Sequence, residues 1–347
     1  MINLPDLKSA NVAGKRVFLR LDLDVPRSER GVIDTTRIDA GFPTLEFLLA
    51  SGAEVIIGSH LGRPNGFDEN LTLRGIGLAI AGRLDVPLEL FKDENLNSLK
   101  AFKISDKVTL LENLRFHAEE EQNDPEFSKK LAALSDIYVN EAFAVSHRNH
   151  ASIAGVPKLL PHFAGIRLQK EVEELSKVLE NPTRPLVVVI GGAKIETKLP
   201  LVNKMLESAD KVLVGGEIAA EISSFEMPNE KLVVAQLNVE KTDIMEESIK
   251  RFGEELKTAR TIVWNGPMGE ISKEVNKSLL SEIGTKEIAF LISQSNAHTI
   301  VGGGDTVGFL NKHGLLHKFS FVSTGGGAML AFLSGLPLPG LQALLGN

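Results

Sequence analysis

The sequence contains no cysteine. Disulfides, thiolate metal sites and cysteine nucleophiles are therefore excluded, and any metal must be held by oxygen or histidine ligands. Mg²⁺ is the natural candidate, because it prefers oxygen ligands and is often held jointly by carboxylates and phosphates.

The sequence also lacks a long apolar run and an excess of positive charge. No stretch of about 18 apolar residues occurs, and the first residues, Met1–Asp6, do not combine a basic region with an apolar one. The formal net charge is −7 and the pI is near 5.7, which argues against a protein that coats nucleic acid or an anionic membrane. We therefore expect a cytoplasmic protein without a nucleic-acid or membrane partner.

Three common nucleotide-binding signatures are missing as well. The sequence has no G-x-x-x-x-G-K-[ST] loop, no G-x-G-x-x-G dinucleotide turn and no H-R-D catalytic loop. A P-loop NTPase, a Rossmann dehydrogenase and a protein kinase are all disfavoured.

What the sequence does contain is a series of short apolar runs separated by helical stretches. At 347 residues the chain is long enough for two domains of ordinary size. Runs rich in Val, Ile and Leu that alternate with helices are typical of buried parallel strands. We predict an α/β fold with two doubly wound, Rossmann-like parallel-sheet lobes. The predicted strands are Val17–Leu23, Val55–Gly58, Val108–Leu111, Ile137–Val139, Leu186–Ile190, Lys211–Val214, Leu232–Ala235, Thr261–Trp264, Ile300–Val301 and Phe319–Val322.

Residues 164–180 carry apolar side chains at helical spacing among many charges, and the proline-containing stretch Asn181–Pro185 follows them. This pattern predicts a long helix that joins the lobes. We expect domains at 1–153 and 181–334, with residues 164–180 as a hinge helix between them.

Ten of the fourteen arginines lie between residues 16 and 148. Ligands of open α/β sheets bind outside the carboxyl ends of the strands, and basic or acidic residues follow four successive predicted strands there. Such a set could clamp a small phosphorylated hydroxy acid through bidentate contacts. The residues are Asp22, Asp24, Arg37, His60, Arg63, Arg115, His147, Arg148 and His150.

Two other interpretations of this set stay open. Any single arginine in it could be an ordinary surface residue or helix cap. His147 and His150 are three residues apart and could share a helical face as zinc ligands, although the sequence places no third ligand beside them.

The second half carries glycine-rich turns at predicted strand ends. Gly191-Gly192 leads to Lys194 and Lys198, which are four apart and predicted to share a helical face. Exposed backbone N–H groups at helix starts bind polyphosphate, and Asp305 is placed to meet Mg²⁺. The alternative is that the glycines make tight turns between packed elements. The further turns are Gly215-Gly216, Asn265-Gly266-Pro267, Gly302–Thr306 and Ser323–Gly327.

Taken together, these motifs resemble the phosphoglycerate kinase family along nearly the whole chain. Eight stretches carry the resemblance in family order. They are Arg20–Pro26, Ser59–Pro64, Leu110–Phe116, His147–Ser152, Gly191–Lys198, Val263–Gly269, Gly302–Thr306 and Ser323–Ala328.

The resemblance implies reversible phosphoryl transfer from 1,3-bisphosphoglycerate to Mg-ADP, giving 3-phosphoglycerate and ATP. It implies that the phosphoglycerate is held by Asp22, Asp24, Arg37, His60, Arg63, Arg115 and Arg148. The nucleotide would be bound by Lys194, Lys198, Gly215, Asn265, Gly303, Gly304, Asp305 and Thr306, and Mg²⁺ by Asp305. The transferring group would meet Arg37, Lys198, Gly304 and Gly327 when the lobes close.

The resemblance also implies a monomer, and a C-terminal tail, 335–347, that packs back on the first lobe. The sequence departs from the family pattern at several positions. Asp24 stands where the family has asparagine, Thr197 and Glu217 replace an aspartate and a glycine, and Ser272 takes the place of a ribose-binding glutamate, for which Glu270 or Glu274 could substitute. The segment between Ser223 and Thr261 is shorter than in typical members.

These departures leave two hypotheses from different classes. The leading one is a working phosphoglycerate kinase with a trimmed nucleotide lobe. The alternative is a non-catalytic sensor that binds phosphoglycerate or nucleotide and reports to a partner.

Overall fold

The computed structural model describes residues 2–28, 31–224, 229–271 and 281–346. They form two compact units: Ile2–Val172 together with residues 337–346, and Glu173–Leu336. Within the described residues, no helix combines the length and the apolar character needed to cross a membrane.

The first unit is built on a seven-stranded sheet in the order β5-β6-β7-β4-β1-β8-β9. The strands of this unit are β1 (Arg16–Arg20), β2 (Arg27–Ser28), β3 (Gly31–Val32), β4 (Glu54–Gly58), β5 (Lys92–Leu96), β6 (Leu99–Lys103), β7 (Val108–Leu111), β8 (Ile137–Asn140) and β9 (His162–Ala164). Strands β2 and β3 pair antiparallel with each other, apart from the main sheet. Its helices begin with α1 (Thr36–Ala50), α2 (Arg74–Arg83), α3 (Ala118–Glu121) and α4 (Pro125–Ala132), and α5 (Ile166–Glu180) crosses the boundary between the units.

The second unit has a six-stranded sheet in the order β12-β11-β10-β13-β14-β15, with all pairs parallel. The strands are β10 (Leu186–Ile190), β11 (Lys211–Val214), β12 (Leu232–Val234), β13 (Thr261–Asn265), β14 (His298–Gly302) and β15 (Phe321–Val322). The helices are α6 (Ile195–Ser208), α7 (Ile218–Ser224), α8 (Glu246–Thr258), α9 (Ile283–Ser293), α10 (Gly304–Lys312) and α11 (Gly326–Leu333); α12 (Pro339–Leu345) then belongs to the first unit.

The predicted fold class of two parallel-sheet α/β lobes is confirmed. Each predicted apolar run overlaps a strand, and β10 and β13 are buried at every position, as strands with helices on both faces must be. Several predicted boundaries differ from the observed ones, most of all in the first strand, which ends at Arg20 rather than at Leu23. The backbone leaves the ladder there, because the N–H of Leu23 donates to the Ser59 hydroxyl.

The antiparallel edge of the first sheet is a feature that the apolar runs did not predict. Strands β5 and β6 pair antiparallel, and β6 pairs antiparallel with β7. Strand β5 reads Lys-Asp-Glu-Asn-Leu, and most of its side chains are exposed. Charged side chains on an edge strand hinder pairing with other chains, and they also remove the apolar pattern by which a strand is recognised.

The start of α5 is fixed by a buried carboxylate, Glu141, which directly follows β8. The Glu141 carboxylate accepts hydrogen bonds from the backbone N–H groups of Arg167 (2.9 Å) and Leu168 (3.1 Å) and from the Thr44 hydroxyl. The Thr44 oxygen in turn accepts from the N–H of Ile166 at 2.9 Å. The first N–H groups of a helix need such acceptors, so α5 begins at Ile166 rather than at the predicted residue 164.

We expect Glu141 to make the stability of the first unit depend on pH. Burial raises the pKa of Glu141 from 4.5 to about 8. An acid whose pKa is raised on folding favours the folded state when it is protonated, so the unfolding free energy should fall as the pH rises from about 4.5 to about 8. E141Q should lack this fall in unfolding free energy, and denaturant unfolding at several pH values measures the difference. If the unfolding free energies of E141Q and wild type changed in parallel with pH, the prediction would be contradicted.

Candidate functional site

In the first unit, the predicted phosphoglycerate residues lie at the carboxyl end of the sheet. Arg37 is the second residue of α1, and its Nη1 donates to the backbone oxygen of Asp24 at 2.8 Å. The same nitrogen lies 3.2 Å from Asp22 Oδ2 and 4.0 Å from Asp24 Oδ2. Burial raises the pKa of Asp22, and the charge of Arg37 opposes that shift.

Asp24 is fixed on the other side by the loop after β4. Its Oδ1 accepts from the N–H of Gly62 at 3.0 Å, and its Oδ2 lies 3.9 Å from Nε2 of His60. Burial, with the charges of Arg20, Arg115 and Arg37, holds the pKa of His60 well below its usual range. His60 is therefore a neutral hydrogen-bonding group in this arrangement.

Arg115 and Arg148 complete the positive cluster. Arg115 Nη1 donates to the oxygen of Gly62 at 2.6 Å, and its Nε lies 3.2 Å from a carboxylate oxygen of Glu121. Burial and the charge of Arg20 lower the pKa of Arg115, and the exposed Arg148 adds to that effect. The structure thus brings together every predicted phosphoglycerate residue except Arg63, which is exposed and joined to no other described residue by an ion pair or side-chain hydrogen bond.

His147 and His150 do not share a helical face, because neither lies in a helical segment. One short helical turn ends at Val145, and the next begins at Ala151. Nor do the described residues contain a group of three or more histidine or acidic side chains suited to a metal. The predicted helical face is therefore wrong, and the described residues supply no group of three ligands for zinc. Burial and the neighbouring arginine charges instead lower the pKa of His147 to about 4 and that of His150 to about 3.

In the second unit, Lys198 is the centre of the candidate nucleotide site. It lies in α6 and is 8% exposed, and its Nζ donates to Oδ1 of Asn265 and approaches the Asn265 backbone oxygen at 3.4 Å. Burial lowers the pKa of Lys198 to about 8, and the charge of Asp305 opposes that shift. Asn265 itself is buried at the end of β13.

Lys194 does not share a helical face with Lys198, contrary to the prediction. It precedes α6 at the N-cap position and is exposed, with extended backbone angles. The turn after β10 is therefore longer than the spacing suggested, and the two lysines differ in environment.

Helices α10 and α11 begin next to each other. Gly303, with φ of +101°, precedes α10, and a Cβ on Gly326 at the start of α11 would lie 2.9 Å from Cα of Gly303. Gly304, Asp305 and Gly327 are exposed there. Two neighbouring helix N-termini form a positive surface suited to phosphate.

Two predicted nucleotide residues are buried rather than open. The Thr306 hydroxyl oxygen accepts from the N–H of Gly266 at 3.1 Å, and its side chain is fully buried. A Cβ on Gly215 would lie 2.7 Å from the sulfur of Met268. Thr306 shapes the turn after β13 through its hydroxyl, and Gly215 leaves room for Met268 because it has no side chain.

The glycine turns of this unit pack against one another. A Cβ on Gly191 would lie 2.1 Å from the backbone oxygen of Pro267, and one on Gly266 would lie 2.1 Å from the oxygen of Gly191. One on Gly216 would lie 2.5 Å from the nitrogen of Gly192. Tight packing therefore explains Gly191, Gly216 and Gly266, whereas for Gly303, Gly304 and Gly327 phosphate binding at helix starts stays a prediction.

The residues present fit a magnesium ion held jointly with phosphates. Asp305 offers one exposed carboxylate in the first turn of α10, and Mg²⁺ in phosphoryl-transfer sites is bound by one or two carboxylates plus phosphate oxygens and water. Glu270 is exposed. Ser272 and Glu274 lie outside the described residues.

Comparison with known proteins decides the family. The sequence model of the phosphoglycerate kinase family matches residues 7–234 and 224–336. The chain is 37% identical to the phosphoglycerate kinase of Dictyoglomus turgidum over 394 aligned positions, covering 98% of each protein. It is 38% identical to the cytosolic phosphoglycerate kinase 3 of Arabidopsis thaliana, covering 97% of each. This chain belongs to the phosphoglycerate kinase family.

Solved structures of phosphoglycerate kinases share the fold as well as the sequence. The structure of phosphoglycerate kinase from Coxiella burnetii superposes with a TM-score of 0.81 at 31% identity, covering 99% of each chain. That from Pyrococcus horikoshii OT3 also gives 0.81, at 30% identity.

The family alignment also locates the shortened segment. The two matched segments overlap at residues 224–234, and the alignment with the Dictyoglomus relative is 47 positions longer than this chain. Between β12 and α8, the described structure has a loop with a single antiparallel bridge, Leu237 to Ile244.

Sequence reasoning missed two kinds of residue at these sites. Arg20 was noted only as part of a motif, yet it is buried within the arginine cluster. Ser152 contacts both Arg20 and Glu120; it too was noted only as part of a motif, and Glu120 carries no signal that distinguishes it from other acidic residues.

Proposed function

We propose that the chain catalyses reversible phosphoryl transfer between 1,3-bisphosphoglycerate and Mg-ADP, giving 3-phosphoglycerate and ATP. The observation that carries this proposal is the buried Lys198, held by Asn265 and facing the charge of Asp305. Family membership supports the same reaction. The domain limits 1–153, 164–180 as hinge and 181–334, and the tail 335–347, belong to this proposal.

The first unit binds and orients the phosphoglycerate. Arg37, Arg63, Arg115 and Arg148 bind its negative groups, the neutral His60 donates or accepts a hydrogen bond, and Asp22 and Asp24 accept from a hydroxyl. The position of Arg37 at the start of α1 and its partial exposure support a role at the transferring group.

The second unit binds the nucleotide and stabilises the negative charge on the phosphoryl group during its transfer. Lys194, Gly215, Asn265, Gly303 and Thr306 form the nucleotide site with Asp305. Lys198 and the N–H groups at Gly304 and Gly327 face the equatorial oxygens of the phosphoryl group, a transfer that depends mainly on positioning and electrostatics. Asp305, together with the phosphates, would hold Mg²⁺, which would supply charge neutralisation on the nucleotide.

In the transfer itself, the bond between phosphorus and the carboxylate oxygen of the acyl phosphate breaks as a bond to the terminal oxygen of ADP forms. No protein nucleophile is required. A monomeric state and a cytoplasmic location complete the proposal, the latter supported by cytosolic relatives from Arabidopsis and Nicotiana tabacum.

The direct test is ATP formation from 1,3-bisphosphoglycerate and ADP by folded protein with Mg²⁺. Running ADP and GDP in parallel fixes the nucleotide preference. Absence of ATP together with calorimetric binding of 3-phosphoglycerate alone would refute the proposal and leave the sensor hypothesis.

We expect Asp24 to weaken phosphoglycerate binding. Its carboxylate lies 4.0 Å from Arg37 and 3.9 Å from His60, so it competes with an anionic ligand. In D24N the amide oxygen can still accept from Gly62, while the charge is removed. Because Asp24 is partly exposed, the gain should be about 1 kcal/mol, or roughly fivefold tighter binding of 3-phosphoglycerate by calorimetry.

The control for this change is D136N. Asp136 pairs with Arg16, which begins β1 at its amino end. D136N therefore removes one negative charge at the end of the strand opposite to the site. Equal affinity of D24N and wild type for 3-phosphoglycerate would contradict the prediction.

A further inference from the structure

A buried polar network lies under the arginine cluster of the first unit. Arg20 ends β1 and is 1% exposed. Its Nε donates to the Ser152 hydroxyl at 2.8 Å, its Nη1 donates to the oxygen of Leu21, and its Nη2 lies 3.4 Å from Nδ1 of His60. A guanidinium is always charged, and these direct partners are all neutral.

The counter-charge comes through Ser152 from Glu120. Glu120 lies in α3 and is fully buried. Its Oε2 accepts from the N–H of Ser152 at 2.9 Å, and its Oε1 accepts from the Ser152 hydroxyl at 2.5 Å. The hydroxyl thus accepts from Arg20 and donates to Glu120, so one side chain joins the cation to the anion.

The same carboxylate faces other members of the positive cluster. Burial raises the pKa of Glu120, and the charges of Arg20 and Arg115 and the two bonds from Ser152 oppose that shift. Nδ1 of His150 lies 3.9 Å from Glu120 Oε1. Both oxygens of Glu120 accept hydrogen bonds from Ser152, and the nearby charges of Arg20 and Arg115 favour its ionised form.

We propose that Glu120 is a positioning residue of the phosphoglycerate site, which fixes Arg20 through Ser152 and offsets part of the positive charge presented to the ligand. The inference rests on the proposed function of this site. Glu120 holds the arginine cluster together without a ligand, and it does so at the cost of affinity for the anionic substrate.

The variant E120Q separates this role from a purely structural one. Glutamine keeps an oxygen that can accept from Ser152 but removes the charge. The unit should become less stable without ligand, because buried Arg20 loses its counter-ion. Binding of 3-phosphoglycerate should become about tenfold tighter, since several negative charges on the ligand lose a repulsive neighbour at an effective dielectric constant of about 20.

Two further variants complete the test. S152A keeps the charge of Glu120 but removes the hydroxyl that fixes Arg20, so it should bind 3-phosphoglycerate more weakly. E141Q is the matched control: Glu141 is also buried in this unit, but burial raises its pKa to about 8, so near neutral pH the change removes little charge and should leave the affinity unchanged.

The experiment is calorimetric titration of the four full-length proteins with 3-phosphoglycerate near neutral pH, with thermal unfolding alongside and KM and kcat measured in the forward assay. Tighter binding and a lower KM in E120Q, without an equal rise in kcat, would support the proposal. Unchanged or weaker binding by folded E120Q would overturn it, and if E120Q does not fold, unchanged binding by S152A would do so. Failure of the wild type to bind 3-phosphoglycerate would instead refute the proposed function.

Discussion

Replacing Lys198 with alanine should lower kcat for ATP formation by about 10²–10³-fold, the effect of removing one preorganised charge or donor from a transferring group. Lys198 is buried and held by Asn265, so its ammonium is already oriented before substrate binds. The loss should appear in kcat more than in the KM for ADP, measured with saturating 1,3-bisphosphoglycerate.

The matched control for this change is K204A. Lys204 lies on the same helix, α6, but pairs with Glu207 at the surface, so its loss should leave kcat unchanged. K194A should fall between the two, because Lys194 is exposed and its charge is screened by water. A kcat for K198A within a few-fold of wild type would contradict the role of Lys198 in transfer.

The pH dependence of ADP binding offers a second measure of Lys198. Because burial lowers its pKa to about 8, the ammonium loses its proton as the pH rises past that value, and ADP affinity should then fall in the wild type. K198A should lack this fall in ADP affinity, and calorimetric titration with ADP at several alkaline pH values measures the difference.

Replacing Arg37 with alanine should lower kcat by about 100-fold while weakening the binding of 3-phosphoglycerate much less. The guanidinium is held by the Asp24 backbone oxygen and lies beside Asp22, so it is positioned from one side and open for the transferring group on the other. A group that meets charge only in the transition state affects kcat more than ground-state binding.

The control is R16A, since Arg16 begins the same strand, β1, at its amino end and pairs with Asp136. Its loss should leave both kcat and ligand affinity near wild type. If R37A weakens 3-phosphoglycerate binding and kcat by the same factor, Arg37 acts in binding alone.

The sequence predicted those residues whose role follows from their position relative to a strand. Apolar runs predicted the buried strands of both sheets, and the positions just after them gave Asp22, His60 and Arg115. The antiparallel edge escaped because Lys92–Leu96 is charged and exposed.

Contacts between residues far apart in sequence could not be predicted in the same way. The bond from Lys198 to Asn265 and the relay from Arg20 through Ser152 to Glu120 join separate elements, and neither leaves a local pattern. Helical spacing of Lys194 and Lys198 was misleading, because it assumes that the helix has already begun, whereas α6 begins at Ile195.

The interlocked glycines Gly191, Gly216 and Gly266 also limit how the second unit can change. Their main chains lie so close that any side chain would push one turn off another, so variants at these positions are selected against for folding before nucleotide affinity is ever tested. Adaptation to a different nucleotide must therefore begin at exposed neighbours such as Glu217 and Thr197, and a mutant library aimed at changing base preference should be built there.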